Sequence, residues 1–283
     1  MLTIKNVVFR DEGLTQKLFS GLPVLEKLYL EDCSWEFIKV LSISAPRLHF
    51  LSISEIQTEN LSYCQIMIFG DCLKEFVYYG HLLIDYCLYN SLSLETADID
   101  LVPCEIISKE ISYRVHKLLV GVCNVKYLTL SSEVVQFLGD APELLPHMPV
   151  FNNLLDLAFM ESEVVDLSDA GLLRILHNAP CLRTLKFAEG ISFNSFWDND
   201  DGVLDSVPPC FMSHLKRINV FRYGGHELNL LAVKILLKNA VTLEKMIITG
   251  LKHISGDVEE QTRIRQQLLE LPRGSQYCEF VLK

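Results

Sequence analysis

Histidine, cysteine and clustered acidic residues are the side chains in this sequence with the greatest capacity for chemistry. The eight His are isolated from one another, and His226-Glu227 lacks the second His four residues on that a zinc-binding helix requires. The acidic stretch 198–202 resembles a calcium loop only superficially, because its Gly is fifth and Pro209 occupies the twelfth position. We therefore predict no metal site and interpret the acidic stretch as a solvated insertion.

Nucleophile and cofactor motifs are also missing from the printed sequence. None of the nine Cys forms a C-x-x-C pair, and no G-x-S-x-G, G-x-G-x-x-G or G-x-x-x-x-G-K-[ST] stretch occurs. A Cys nucleophile stays open in principle, since its His partner need not be adjacent in sequence. The apolar surroundings of most Cys favour buried, reduced thiols instead. We predict that the protein is not an enzyme and uses no cofactor.

Composition narrows the classes of protein further. With 49% hydrophobic and 22% charged residues, the chain is not of the disordered class. Its 25 Lys and Arg face 36 Asp and Glu, and the resulting net charge of −11 argues against sequence-independent nucleic-acid binding. No apolar run reaches the roughly 18 residues of a membrane span, and no secretory leader is recognisable. We expect the cytoplasm, the nucleus or both, with neither nucleic acid nor membrane as a partner.

An apolar triple repeats along the chain. Residues 25–33 read L-x-x-L-x-L-x-x-C, the pattern of a leucine-rich repeat, although the ninth position carries the usual Asn or Cys only at Cys33. The nine triples start 21 to 33 residues apart and are Leu25/Leu28/Leu30, Leu48/Leu51/Ile53, Leu73/Phe76/Tyr78, Leu94/Ala97/Ile99, Val125/Leu128/Leu130, Leu154/Leu157/Phe159, Leu182/Leu185/Phe187, Leu215/Ile218/Val220 and Leu243/Met246/Ile248. Each triple predicts a short strand with its apolar side chains inward, and neighbouring repeats must stack to bury them.

The predicted fold is an α/β leucine-rich-repeat solenoid, a curved parallel β-sheet with outer helices and loops. Parallel strands need crossovers of about a dozen residues. Periodicity predicts helices at 227–240 and 258–269, and a third that is capped by Ser168-Asp169, carries Leu172, Leu173, Ile175 and Leu176, and ends at Asn178 and Pro180. Segment 38–43 also fits the triple but lies too close to Leu48 for a helical crossover, so its place is left open. Leu2-Thr3-Ile4 looks like the second half of a triple, and we expect the chain to begin inside a repeat.

Three parts of the chain contain individually recognisable stretches. They are LPVLEKLYLEDCSW at 22–35, ISAPRLHFLSI at 43–53, and a tail with VPPCF at 207–211, LLKNAVTLEKM at 236–246 and LPRGSQYCE at 271–279. The first two are similar to repeats of the plant F-box/LRR/FBD family, and the tail resembles the FBD domain of that family. The resemblance implies an irregular repeat region over 1–205, beginning mid-repeat, and an FBD domain over 206–283 that continues and caps the solenoid.

The same resemblance implies a role in protein recognition. Members of this family usually begin with an F-box, which docks on the Skp adaptor of a cullin–RING ubiquitin ligase. The printed sequence contains no stretch resembling LPDELLxxILSFL. The sequence resembles the part of F-box ubiquitin-ligase receptors that recognises the substrate. The resemblance implies ubiquitin-dependent protein degradation, and the Skp adaptor as a partner, only if the chain is joined to an F-box.

The residues between the apolar positions are expected to form one concave face that binds a protein. Aromatic side chains among small polar ones suit a protein partner. The candidate binding residues are Tyr29, Glu31, Phe50, Tyr79, Asp98, Tyr127, Asp156, Lys186, Arg217 and Phe221. As alternatives, Phe50, Tyr79 and Phe221 pack under loops, or the chain is a small-ligand-sensing receptor or a truncated, nonfunctional relative. Basic residues are too dispersed for an inositol-phosphate pocket.

Overall fold

The computed structural model divides the chain into two compact units, Met1–Pro149 and Val150–Lys283. The residues it describes are 1–55, 62–102, 109–160, 163–194, 204, 206–250 and 258–283. The acidic stretch 198–202 lies outside them. The boundary expected between residues 205 and 206 separates repeat region from FBD domain, and it stays a prediction.

Parallel strands in two sheets form the first unit. The strands are β1 (Leu2–Lys5), β2 (Lys27–Glu31), β3 (Val40–Ser44), β4 (Phe50–Glu55), β5 (Gln65–Phe69), β6 (Glu75–Gly80), β7 (Asp85–Tyr89), β8 (Thr96–Leu101) and β9 (Tyr127–Leu130), and the helices are α1 (Glu12–Ser20), α2 (Lys109–Gly121) and α3 (Ser132–Gly139). The main sheet has the order β1-β2-β4-β6-β8-β9, and the second sheet has the order β3-β5-β7. Leu2 lies opposite Leu28 and Ile4 opposite Leu30, so β1 takes the register of a repeat strand.

The predicted repeat ladder is confirmed in both units. Every member of the nine apolar triples is buried, with at most 7% of its surface exposed. In β2, β4 and β10, for example, the buried side chains alternate with partly exposed ones, as the two-residue period of a strand requires. Burying a Leu or Ile side chain stabilises a fold by roughly 1.5–3 kcal/mol relative to leaving it exposed, so the ladder is the main source of stability.

Segment 38–43, left unplaced by the sequence, leads into β3 and the second sheet. Here the chain crosses between main-sheet strands through other strands: β3, β5 and β7 fill the three connectors from β2 to β8. The predicted helices belong to the longest connectors, and these shorter connectors contain strands instead. Their repeats are 21 to 25 residues long, and a short strand crosses back in fewer residues than a helix with its two turns. The inner side of this sheet consists of buried side chains, among them Leu41, Ile43, Ile66 and Ile68.

A carboxyl group is buried in the interior of the first unit. Glu55, at the end of β4, is 2% exposed. The Tyr78 hydroxyl donates to its Oε2 at 2.9 Å, and the Tyr86 hydroxyl donates to its Oε1. The Leu82 N–H in turn donates to the Tyr78 oxygen at 2.7 Å. Burial raises the pKa of Glu55 to about 7, against an ordinary value of 4.5, although both tyrosine hydrogen bonds oppose the rise.

Helices cover the two edge strands of the second sheet. On α1, Gln16 Oε1 accepts the Ser42 N–H at 2.8 Å, and its Nε2 donates to the Ser42 carbonyl at 3.0 Å. On α2, Lys117 Nζ forms an ion pair of 2.7 Å with Asp85 of β7. An unprotected edge strand can pair with another chain, so these contacts guard the sheet against aggregation.

The second unit has longer repeats with helical crossovers. Its strands are β10 (Asp156–Phe159), β11 (Val165–Asp166), β12 (Thr184–Phe187), β13 (Ile191–Ser192), β14 (Arg217–Val220), β15 (Lys245–Ile248) and β16 (Glu279–Leu282), and its helices are α4 (Ala170–His177), α5 (Pro209–Ser213), α6 (Glu227–Asn239) and α7 (Val258–Leu269). The order β10-β12-β14-β15-β16 is parallel throughout, and β11 pairs with β13.

The three helices predicted from periodicity are confirmed as α4, α6 and α7. Asp169 caps α4 by accepting the N–H groups of Gly171 and Leu172. On α7, Ile264 and Leu268 are buried as expected, whereas Leu269, also expected to face inward, is 53% exposed at the last residue of the helix. Within the described ranges, no helix is both long and apolar enough to cross a bilayer.

We expect Glu55→Gln to remove a pH dependence of stability. Because folding raises the pKa of Glu55 from 4.5 to about 7, the folded state binds its proton more tightly than the unfolded state. The contribution of this group to stability is therefore complete below pH 4.5 and declines, by about 3 kcal/mol, as the pH rises to 7. In urea unfolding at pH 4.5, 6 and 8, the free energy of unfolding of the variant relative to wild type should therefore rise by about 3 kcal/mol from the lowest pH to the highest.

The control for this measurement is Glu75→Gln, the same substitution at an exposed carboxylate on β6, and its stability difference from wild type should change less between pH 4.5 and 8 than that of Glu55→Gln. A stability difference between Glu55→Gln and wild type that stays constant from pH 4.5 to 8 would contradict the prediction.

Replacing Gln16 by Ala should destabilise the first unit by about 1–3 kcal/mol, because it removes one hydrogen bond to Ser20 and two to Ser42, and leaves the Ser42 N–H and carbonyl unpaired at the edge of β3. Gln16→Glu retains the acceptor but loses the donor, so its unfolding free energy should be intermediate. Urea unfolding measures both. Equal stability of Gln16→Ala and wild type would show that the edge is held without this side chain.

Candidate protein-binding surface

Outward-facing side chains of the main sheet form the first-unit face. Because the strands are parallel and in register, these side chains line up in rows across the sheet. One row contains Lys27, Phe50, Glu75, Thr96 and Tyr127; the next contains Thr3, Tyr29, Ser52, Val77, Asp98 and Thr129; the third contains Lys5, Glu31, Ser54, Tyr79 and Asp100. Six of the ten candidate binding residues lie on this face.

Near β1 and β2, the residues of this face contact one another. The rings of Tyr29 and Phe50 are 5.0 Å apart, and Lys27 Nζ lies 5.7 Å from the centre of the Phe50 ring. Lys5 Nζ forms an ion pair of 2.8 Å with Glu31. Phe50 is therefore half-buried by its neighbours on the face itself.

Near β6, β8 and β9, the same face presents tyrosines and carboxylates. Tyr79 and Tyr127 are 38% and 46% exposed. Tyr79 lies opposite Asp100 in the register, and Val77 lies opposite Asp98. Burial raises the pKa of Asp100, and the nearby charge of Glu133 raises it further. In this part of the face a ligand has free access to both aromatic rings.

The remaining four candidate residues lie on the second-unit face, the outward side of β10, β12, β14, β15 and β16. Asp156 and Lys186 form an ion pair of 3.5 Å, and Arg217 donates to the Thr184 hydroxyl at 3.3 Å. Phe221 follows β14 and is 39% exposed. Tyr79 is exposed to the same degree, so neither of these two rings is packed under a described loop. The binding role of all ten candidate residues stays a prediction.

Two features of these surfaces escaped the list of candidates. Lys245 and Glu279 form an ion pair of 2.8 Å on the second-unit face. The repeat pattern itself could have found them, since Lys245 lies between the apolar residues of the ninth triple and Glu279 begins the closing strand. Glu133, on α3, approaches Asp100 only through the fold, and nothing in the local sequence signals it.

The groups considered for chemistry are poorly suited to it. Burial raises the pKa of Cys64 and of Cys210 to about 12, so both thiols stay protonated at neutral pH and are weak nucleophiles. No group of three or more His, Cys, Asp or Glu among the described residues is arranged to hold a metal ion. The arrangement that the structure does provide is a pair of ordered, partly aromatic sheet faces, which can bind.

Comparison with known proteins finds relatives over almost the whole chain. The FBD family matches residues 204–248. F-box/LRR-repeat protein At4g14096 of Arabidopsis thaliana is 30% identical over 92% of the chain and 56% of its own length. F-box/LRR-repeat protein At3g59250 is 27% identical over 96% of the chain and 65% of its own length, and FBD-associated F-box protein At5g22730 is 23% identical over 99% and 61%, both from the same plant.

The chain thus spans between just over half and about two thirds of the length of these relatives. No solved structure matches it significantly. The repeat ladder, the FBD match and the relatives named for their F-box and leucine-rich repeats agree with one another. The chain belongs to the plant F-box/LRR-repeat/FBD family.

Proposed function

We propose that this chain is a non-enzymatic recognition module that binds a protein through the outer faces of its repeat strands. The observation that carries the proposal is the first-unit face, where exposed aromatic side chains stand in register among Ser, Thr and Val. Tyr is enriched at the energetic centres of protein interfaces because it buries a large apolar ring and keeps a polar hydroxyl. Small neighbours leave the rings accessible.

A protein partner fits this face better than a nucleic acid does. The net charge of the chain is −11, and the first-unit face itself has more carboxylates than amines. A phosphate backbone would be repelled, since its binding depends on Lys and Arg. The localisation that accompanies this proposal is the cytoplasm, the nucleus or both.

The finer proposal concerns ubiquitin-dependent degradation. Relatives that match nearly the whole chain are named F-box proteins, and the F-box is the element that docks on the Skp adaptor of a ubiquitin ligase. We propose that, joined to an F-box, this module selects the protein to be degraded. Residues 1–205 then supply the recognition repeats, and residues 206–283 are the FBD domain that continues and caps them.

The binding proposal predicts loss of one partner on truncating the face. Quantitative affinity capture from plant extract, with the purified chain as bait, should recover a protein whose yield falls with Tyr29→Ala, Phe50→Ala and Tyr127→Ala. With the purified partner, each substitution at the centre of the interface should weaken binding about 30-fold, equivalent to about 2 kcal/mol, measured by calorimetry.

The matched control is Tyr63→Ala, which truncates a tyrosine that is 97% exposed and lies before β5, away from the face. It should leave binding unchanged. If no recovered protein responds to the three face substitutions, the binding proposal is wrong. A metabolite that raises the melting temperature of the purified chain without any protein would instead support the small-ligand alternative.

The degradation proposal predicts that Skp binding follows the F-box and not these 283 residues. The printed chain, which lacks an F-box-like stretch, should form no complex with purified Skp adaptor in size-exclusion chromatography. Fusing the F-box of a relative to its N-terminus should produce the complex. A tight complex with the unfused chain would contradict the assignment of these residues to recognition alone.

A further inference from the structure

Five residues at one end of the first-unit face form what we call the acidic patch: Glu75 and Tyr79 on β6, Asp98 and Asp100 on β8, and Tyr127 on β9. Parallel pairing places them side by side, since Tyr79 lies opposite Asp100 and Tyr127 opposite Thr96 of the same strand as Asp98. Adjacent strands are about 4.8 Å apart, and alternate residues on a strand are about 6.6 Å apart. A single short peptide can therefore contact all three carboxylates.

The carboxylates of the acidic patch lack counterions within the described residues. Among the residues that the structure describes, no ion pair joins Glu75, Asp98 or Asp100 to a Lys, Arg or His. The charge that acts on Asp100 is a further acid, Glu133, which is 5% exposed at the start of α3. Two neighbouring carboxylates repel one another, and a cation brought by a ligand relieves that repulsion.

Other carboxylates on the two faces form ion pairs with neighbouring lysines. Glu31 is paired with Lys5 at 2.8 Å. On the second-unit face, Asp156 is paired with Lys186 at 3.5 Å and Glu279 with Lys245 at 2.8 Å. An approaching cation must displace a partner at those positions, whereas at the acidic patch it finds negative charge already available.

The aromatic residues of the patch suit the same ligand. Tyr79 and Tyr127 are 38% and 46% exposed, so their rings stand beside the carboxylates and are open to solvent. A Lys or Arg side chain can lay its aliphatic stem on such a ring, or place its charge over the ring, while bonding to an adjacent carboxylate.

From this charge complementarity we propose that the acidic patch binds an extended basic segment of the protein partner, with Lys or Arg at alternate positions. Alternate side chains of an extended peptide are about 6.6 Å apart, matching the row spacing of the patch. This inference rests on the proposed recognition function and specifies its partner. Nucleic acids are disfavoured as ligands because the patch repels phosphate.

Two pools of fluorescently labelled decapeptides test the proposal with the full chain. One pool alternates Lys or Arg with Ser, Thr or Ala, and the other has Asp or Glu at the same positions. Fluorescence anisotropy should show binding of the basic pool only, weakening as salt is raised from 50 to 300 mM. The double substitution Asp98→Asn/Asp100→Asn should weaken that binding at least tenfold, and Glu75→Gln, which alters one exposed side chain, should weaken it severalfold.

The matched control is Glu143→Gln, which removes a carboxylate that is ion-paired with Lys109 at 3.5 Å and lies outside the strands of both faces, and it should leave the affinity unchanged. Equal binding of the two pools would overturn the proposal, as would unchanged binding of the basic pool by the double variant or tighter binding of a single-stranded oligonucleotide. Circular dichroism confirms that each variant is folded.

The captured partner separates this inference from the function on which it rests. If binding of the captured partner needs Tyr29, Phe50 and Tyr127 but is insensitive to Asp98→Asn/Asp100→Asn, the recognition function holds and the acidic-patch proposal fails. If neither set of substitutions alters any partner, both fail. Weakening by both sets supports both.

Discussion

Burial of the apolar triples is the constraint on which the rest of this structure depends. A single strand cannot shield three apolar residues from water, and a single repeat offers them no second layer. The parallel neighbour on each side supplies the next rung of apolar side chains, and every member of the nine triples ends at most 7% exposed. Once the inner side chains are committed in this way, the alternation of the strand leaves the others facing outward in fixed rows. Order on the outer faces is thus a consequence of packing in the core.

A second constraint acts where β4 and β6 end. Gly80 has a φ of +151°, and a Cβ at that position would lie 2.5 Å from the Glu55 carbonyl oxygen. The close approach of the two backbones requires glycine, and it places Glu55 inside the unit beside Tyr78 and Tyr86. The raised pKa of this carboxyl shows that burial, more than hydrogen bonding, determines its protonation. The polar cluster gives the interior a specific geometry at a cost in stability above neutral pH.

The sequence predicts the ladder well because the triples are a strong periodic signal, and it predicts α4, α6 and α7 because their connectors are long enough for helical periodicity. It does not place β3, β5 and β7. A five-residue strand such as VLSIS at 40–44 has the same alternation as a repeat strand, and nothing local says to which sheet it belongs.

The turns also depended on distant partners. Only Cys33 fills the usual ninth position, but Ser131 accepts the Leu101 N–H at 2.9 Å and Asn229 donates to the Ile191 carbonyl at 2.8 Å. These side chains form hydrogen bonds with the backbone, as the Asn or Cys of the motif ordinarily does, from other positions in the repeat. Surface rows follow directly from the ladder, so all ten candidate residues could be located outside the core. The proximity of Glu133 to Asp100 could not, because it arises from the packing of α3 against β8.

The buried triples maintain the fold, whereas the exposed side chains of the face determine which partner it can bind. Substituting a triple residue removes burial that its neighbours share, whereas substituting Tyr79, Asp98 or Tyr127 changes only what the face presents. Carboxylates left without counterions cost the free chain some stability, since like charges are held close together. A partner that supplies the cations removes that cost on binding, and a partner of the wrong charge increases it. Electrostatic selection of this kind requires that the strands cannot shift to bring the carboxylates against cations of the same chain. The buried ladder meets this requirement because it holds the strands in a single register.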